Sequence, residues 1–223
     1  MAKNMMKQKR IFLESEGNKW FCRNNLNINN DLNIKNDTIL KIISKSKISK
    51  KSVLEIGCAN GYRLNEIKKK FKSEVFGIDP SSEAIKHGKK KFPEVKLKIG
   101  TAEKLKFEDD KFDLIIFGFC LYLCDREDLI KIVDETNRVL KNKGHIIIYD
   151  FYSKSPYYNN YIHKEGIKSY KMDYSKIFLW NPFYKLKEKK IFEFNKKFKD
   201  KKDNKLAIFL INKSIVNAYP KYR

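Results

Sequence analysis

A doubly wound α/β fold on a mostly parallel sheet is what this sequence predicts, and three observations carry the prediction. The first is Val53-Leu54-Glu55-Ile56-Gly57-Cys58-Ala59-Asn60-Gly61, an apolar strand running into a small-residue turn. A helix follows at once, with Leu64, Ile67 and Phe71 spaced by three and four. The second is Val75-Phe76-Gly77-Ile78-Asp79, a short apolar run tipped by a carboxylate. The third is the alternation of strand-like and helix-like segments up to Asp150, the pattern of parallel strands joined by crossover helices.

Taken in order, the chain begins with charged text around Trp20 and Phe21 that dissolves into an Asn-rich stretch. The aromatic pair either staples an N-terminal helix to the domain or forms part of a lid. Ile39, Leu40, Ile42 and Ile43 give one face of a helix within 34–46, after a cap at Asp37. Strands are expected at 52–56, 74–78, 95–99, 112–117 and 145–150. Helices are expected at 61–71, at 81–91 behind Ser81 and Ser82, and after a cap at Asp125, with Leu129, Ile132, Val133, Thr136 and Leu140 facing the core. The turn 100–107 has no helical period, and Gly144 ends the connection into the fifth strand. Residues 153–185 read as a polar-aromatic insertion on the side where such sheets bind ligands. Within it, Ile177-Phe178-Leu179-Trp180 reads as an added strand. Two final strands, 190–198 and 205–212, form a hairpin through the turn Asp200 to Asn204, and the last ten residues are expected to fray. No repeat and no linker marks a second domain.

The turn after the first strand has a chemistry of its own. Glycines at 57 and 61 permit φ > 0 and close approach of a ligand to the backbone. The helix start beyond them offers free N–H groups. Glu55 ends an apolar strand, where a buried carboxylate is costly unless hydrogen-bonded. A carboxylate placed like Asp79 can accept hydrogen bonds from ribose hydroxyls. These features predict a nucleoside site. The dinucleotide fingerprint requires G-x-G-x-x-G, and Gly57-x-Ala59-x-Gly61 followed by Tyr62 and Arg63 fits a pyrophosphate poorly.

This stretch instead resembles the first motif of class I S-adenosylmethionine-dependent methyltransferases, with Ala59 in place of the middle glycine. Gly77-Ile78-Asp79-Pro80 resembles the acidic second motif, and Gly100-Thr101-Ala102-Glu103-Lys104-Leu105 the adenine-flanking turn. Phe112 to Phe117 looks like the fourth strand and Arg138 to Gly144 like the turn before the fifth. The five matches fall in order over about residues 50–150.

The resemblance implies a Rossmann-like, doubly wound, mostly parallel seven-stranded sheet with an antiparallel terminal hairpin. It implies S-adenosylmethionine as cofactor and S-adenosylhomocysteine as product. Glu55 would orient the methionine amino group, Gly57, Cys58, Ala59 and Gly61 would shape the loop, and Asp79 with Pro80 would hold the ribose. Thr101, Ala102 and Glu103 would flank the adenine. Gly118, Phe119 and Tyr122 would lie near the transferred methyl, where aromatic faces favour a sulfonium.

Glu16-Gly17-Asn18-Lys19-Trp20-Phe21-Cys22-Arg23-Asn24 also resembles an E-G-D-x-W-F-x-R-N start, with Asn18 in place of the acidic residue. That start occurs in a bacterial methyltransferase group that accompanies surface-polysaccharide and nonulosonic-acid genes. It implies a helical lid over residues 1–48, with Arg23 meeting the cofactor's carboxylate, and a methyltransferase domain over 49–223. It also implies a small acceptor, a sugar or glycan hydroxyl of a polysaccharide pathway. His163, among the tyrosines of the insertion, is the candidate general base, while His87 and His145 read as structural. Asn181-Pro182-Phe183-Tyr184 resembles the N-P-P-Y signature of nucleobase amino methyltransferases but lies about 60 residues too late, and reads as a turn.

Composition sets the remaining bounds. The 223 residues are 42% hydrophobic, enough for a core, and contain no apolar run of membrane-spanning length. Basic Met1 to Arg10 is not followed by a signal-like apolar stretch. Cysteines 22, 58, 120 and 124 are too few for a disulfide scaffold and fit a reducing cytoplasm, with Cys120 and Cys124 read as buried thiols and no metal expected. The net charge of +22 suggests RNA as a partner, yet six of the 49 basic residues are Arg, the residue nucleic-acid sites favour. The charge is therefore read as compositional. An RNA-directed methyltransferase and a non-catalytic cofactor-fold scaffold are the rival readings.

Overall fold

The protein, as a computed structural model, is described here for residues 7–28, 36–193, 205–216 and 218–221. A seven-stranded sheet forms its centre, in the order β3-β2-β1-β4-β5-β9-β8. The strands are β1 (Ser52–Ile56), β2 (Glu74–Asp79), β3 (Lys96–Ile99), β4 (Phe112–Gly118), β5 (Leu140–Phe151), β8 (Tyr184–Glu193) and β9 (Lys205–Lys213). The first five pair in parallel, and β9 runs antiparallel to both β5 and β8. β1 lies between β2 and β4, so the winding reverses there and opens a crevice at the strands' carboxyl ends.

Strand alternation sorts the side chains into two cores. Leu54, Ile56, Ile115, Phe117, Ile146 and Ile148 face one layer, with Ile132 and Val139 of helix α6 (Leu129–Val139) and Tyr174 and Phe178 of the insertion. Val53, Leu114, Ile116 and Ile147 face the other. There they meet α3 (Thr38–Lys45) through Ile39, Ile42 and Ile43, α4 (Tyr62–Phe71) through Leu64 and Ile67, and α5 (Ser82–Lys91) through Ile85. Every β1 residue is buried, as a strand covered on both faces must be.

The N-terminal segment is helical from Gln8 to Ile28: α1 (Gln8–Ile11), a π-helical stretch Phe12–Glu16, then α2 (Gly17–Ile28). The insertion forms a separate hairpin, β6 (Tyr157–Asn160) with β7 (Lys168–Lys171), and a short helix α7 (Lys176–Leu179).

Several local expectations change. Residues 177–180 do not extend the sheet: Phe178 plugs the core from α7, against Phe117 and Tyr184. β8 starts at Tyr184, six residues before the predicted strand, because its pairing with β9 begins at Tyr184 opposite Lys213, where the tyrosine ring packs on Phe178. Asp125 does not cap the helix that follows it. Its two oxygens instead accept from the N–H groups of Gln8 and Lys9, 2.8 and 3.1 Å away, so it caps α1 from across the molecule. A 3₁₀ turn, Arg126–Asp128, leads into α6.

Around Gly144 the chain bulges between the pairings of Leu140 with Phe112 and His145 with Leu114. The end of the chain is partly docked rather than frayed, with the Ser214 N–H on Phe183 O at 2.7 Å and the Tyr219 ring against Phe183. The predicted turn 200–204 and the strand portion 194–198 lie outside the described residues, as do 29–35 of the N-terminal reading.

Candidate active site

The crevice holds a cavity that is open at its mouth. Its floor is the first loop. The N–H groups of Gly57 and Cys58 bond Ile78 O at 2.9 and 3.1 Å, tying the loop to β2. Gly57 sits at φ 74°, and a Cβ there would lie 2.6 Å from Cys120 Cβ, so the position admits glycine alone. Ala59, which replaces the motif's middle glycine, also takes a positive φ of 48°. Its methyl is buried against Phe21 of α2 and Ala84 of α5, contacts that offset the strain.

Asp79 closes the loop from the opposite side. Its Oδ2 accepts from Ala59 N and its Oδ1 from Ser81 N, both at 2.9 Å. Burial pushes its carboxyl up to about 6, against the pull of those two N–H groups. Both oxygens keep a lone pair for further donors. Glu55, fully buried at the end of β1, is bonded through Oε1 to Arg63, while its Oε2 has no partner. A sealed carboxylate oxygen without a donor calls for a ligand cation or N–H.

Of the residues singled out from the sequence, Gly57, Asp79, Pro80, Thr101, Ala102, Glu103, Gly118 and Phe119 line the cavity together. Glu55, Cys58, Ala59 and Gly61 stand behind that lining and shape it. Tyr122 is buried one ring further in, 5.5 Å from Phe119 and edge-on to it. Phe119 itself has φ 60°, with its N–H on Tyr149 O.

Two expected positions differ. Arg23 does not line the cavity: it pairs with Glu16 at 2.5 Å and donates to Tyr161 Oη at 3.1 Å, because the π-helical turn brings a buried carboxylate beside it. His163 is exposed near the tip of the β6–β7 hairpin and does not line the cavity, since a tight polar turn carries it outward. Its ring packs 5.3 Å from Tyr161, whose ring meets the cavity-lining Phe12 at 6.2 Å.

The sequence predicts a helical lid over residues 1–48 but, Trp20 apart, not the residues through which the N-terminal helix meets the cavity. Lys9, Phe12, Gly17 and Trp20 of the N-terminal helix cover the cavity. Lys9 bridges Glu103 at 3.2 Å and Asp128 at 2.7 Å. The Gln8 amide donates to Leu123 O and Lys168 O. Asn18 Oδ1 accepts from Ser81 Oγ at 2.8 Å and Glu83 N at 3.1 Å, so it reinforces the cap of α5. Gly17 permits this docking: a Cβ there would lie 3.2 Å from Ser81 N. The spacing of Phe12, Gly17 and Trp20 was a findable signal only with the π-helical turn known, because an ordinary helix separates them. Among the described residues no group of three His, Cys, Asp or Glu side chains could hold a metal ion.

Comparison with known proteins gives this site a context. Residues 53–144 match the family described as methyltransferase domain. An uncharacterized methyltransferase of Schizosaccharomyces pombe is 31% identical over 97 residues, 44% of this chain and 38% of its own length. A demethylmenaquinone methyltransferase of Lysinibacillus sphaericus is 36% identical over 77 residues, 33% of this chain and 32% of its own. The matched stretch thus spans less than half the length of these curated relatives. The solved structure of a SAM-dependent methyltransferase from Methanosarcina mazei superposes with a TM-score of 0.63 at 17% identity, over 78% of this chain and 97% of that one. The Bacillus subtilis YcgJ protein gives 0.58 at 18%, over 78% and 96%.

The architecture is the class I methyltransferase fold. Within it, the stretch that matches the methyltransferase-domain family, residues 53–144, carries the first loop, Asp79 and Gly118 of the cavity.

Proposed function

We propose that this protein transfers a methyl group from S-adenosylmethionine to a small acceptor. The observation that carries the reading is a cavity lined by Asp79 and Gly118, with the buried carboxylate of Glu55, whose Oε2 has no partner, directly behind the wall at Gly118. The cofactor's ribose diol supplies donors for Asp79 and its ammonium a cation for Glu55. Thr101, Ala102 and Glu103 flank the adenine, and Gly118 and Phe119 face the sulfonium. When bound, the cofactor supplies an electrophilic methyl on that sulfonium. The chain's part is to hold the acceptor in line and keep water out, worth roughly 7–11 kcal/mol of barrier. The N-terminal helix, residues 8–28, acts as the lid, with Phe12 and Trp20 as its inner surface.

For the acceptor we propose a hydroxyl of a sugar or glycan intermediate, on the resemblance of the Glu16-to-Asn24 segment. His163 is the base on that reading, linked to the cavity through its ring contact with Tyr161, which packs on the lining residue Phe12. Replacing it, His163→Ala, is expected to leave S-adenosylhomocysteine affinity unchanged and lower turnover at least about tenfold. Unchanged turnover would remove it from the mechanism. A second reading, a flat apolar acceptor like that named for the demethylmenaquinone relatives, is favoured by the rings of Phe12, Trp20 and Phe119 on the cavity wall. Methyl-transfer assays against sugar nucleotides and against demethylmenaquinone separate the two. Activity on sugars supports the first, and on the quinone the second.

A further inference from the structure

Behind the cavity wall at Gly118 lies a guanidinium with all of its forked geometry in use. Arg63, in the first turn of α4, donates from Nη1 to Glu55 Oε1, from Nε to Asp37 Oδ2 at 2.8 Å, and from Nη2 to Tyr62 Oη at 2.8 Å. Tyr62 Oη in turn donates to Asp37 Oδ2 at 3.2 Å, and Asp37 Oδ1 caps α3 through Leu40 N at 2.9 Å. One end of the carboxylate of Glu55 is therefore clamped and the other, Oε2, is left without a partner. The clamp abuts the cavity: a Cβ on the cavity-lining Gly118 would lie 2.7 Å from Glu55 Oε1 and 2.9 Å from Arg63 Nη1.

We propose that Arg63 is a positioning residue for cofactor binding, holding Glu55 ionised and in one rotamer so that Oε2 meets the ligand's ammonium, with Asp37 anchoring Arg63 in turn. This rests on the S-adenosylmethionine reading above. A planar fork reaching three partners at once is a geometry that Lys cannot reproduce. It also makes the cap of α3 part of the cofactor site, through a chain that runs from Leu40 N to Glu55 Oε2.

The charge balance around Glu55 supports the assignment. Arg63 and Tyr62 face it from α4, Asp37 from the start of α3, Asp79 from the end of β2, and the thiols of Cys58 and Cys120 from the neighbouring loops. Burial pushes Glu55 up to about 7; Arg63 opposes that rise, and Asp37 and Asp79 add to it. Removing the guanidinium removes the opposing cation, so Glu55 would hold its proton to higher pH.

The test is calorimetric binding of two probes across about pH 5.5 to 8.5. One is S-adenosylhomocysteine; the other is 5′-methylthioadenosine, which keeps the adenine and ribose and lacks the amino-acid end. Arg63→Met is expected to lose at least about tenfold in S-adenosylhomocysteine affinity near neutral pH, with 5′-methylthioadenosine affinity within about twofold of wild type. The acid limb of the S-adenosylhomocysteine profile should move up by about one pH unit or more, while that of 5′-methylthioadenosine stays. Arg63→Lys should fall between, and Asp37→Asn should weaken S-adenosylhomocysteine binding by less while moving its acid limb down, because the Asp37 charge raises Glu55. Equal losses for the two probes, or an unmoved profile, would mean a purely structural Arg63 and overturn the proposal. A wild-type protein that binds neither probe would overturn the cofactor reading instead.

Discussion

Asp79 does two jobs with one side chain. Its oxygens fix the backbone at Ala59 and Ser81, and on the proposed function the same oxygens also hold the ribose diol. Asp79→Ala is therefore expected to weaken S-adenosylhomocysteine binding by about 30-fold or more, since charge-assisted hydrogen bonds contribute about 1.5–3 kcal/mol each. Titration calorimetry reads that loss, and an unchanged affinity would remove Asp79 from the site. A pH dependence follows from the two carboxyls. Burial raises Asp79 to about 6 and Glu55 to about 7, so the free protein binds protons there that the ligand must displace. Affinity should be full above about pH 7.5 and fall by up to about tenfold per unit for each group below its own value. A flat profile from pH 8 to 5.5 would contradict it. Ala59 tests the loop more finely. Ala59→Gly relieves a left-handed alanine but deletes a methyl buried against Phe21, and the two effects should cancel to within about 1 kcal/mol in a thermal melt.

At the scale of elements, the N-terminal helix carries the proposed lid. It is strapped at its start by Asp125, Asp128 and Lys168, in its middle by Asn18 on the cap of α5, and through Arg23 and Glu16 to Tyr161 of the hairpin. Asn18→Ala removes one strap, worth about 1 kcal/mol by analogy with cap residues. It should speed S-adenosylhomocysteine release by about fivefold in stopped flow, with little change in melting temperature. An unchanged release rate would mean the helix does not open as a lid. The elements differ sharply in how far the sequence disclosed them. The central parallel strands were legible because each carries an apolar run that ends at a turn residue, as in Val53 to Gly57. The N-terminal helix was legible as a lid but its contacts were not, because its register depends on a π-helical turn and on hydrogen bonds across more than 100 residues, such as Gln8 to Asp125. The helix at 176–179 was misread for a simpler reason: four apolar residues carry no period, and the core contact of Phe178 decides. Glu55 and Asp79 were found because a carboxylate closing an apolar run is costly wherever it is buried. Arg63 was passed over because one arginine at the start of a helix looks like any solvent-facing one.

The whole molecule joins these pieces through its sheet. The reversal of winding between β1 and β4 sets Asp79, Gly118 and Phe119 around one opening, with Glu55 buried directly behind Gly118, although they come from three strands and the residue after one of them. The large positive charge does not gather at this opening, whose lining holds Lys9 with Asp79, Glu103, Asp125 and Asp128. RNA binding is accordingly expected to be weak and steeply lost with salt, and tight binding at 200 mM salt would favour the RNA-directed reading. Among the described residues no helix is long and apolar enough to cross a membrane.

The central claim is that this cavity takes S-adenosylmethionine, and thermal unfolding with S-adenosylhomocysteine tests it most directly, with Asp79→Ala and NAD⁺ as controls. At about 100 times the dissociation constant the ligand should add about 2.7 kcal/mol, several degrees at roughly 2–4 °C per kcal/mol. The account predicts that shift for wild type, its loss in Asp79→Ala, and none with NAD⁺. No shift with S-adenosylhomocysteine, or a shift with NAD⁺ in its place, would contradict it.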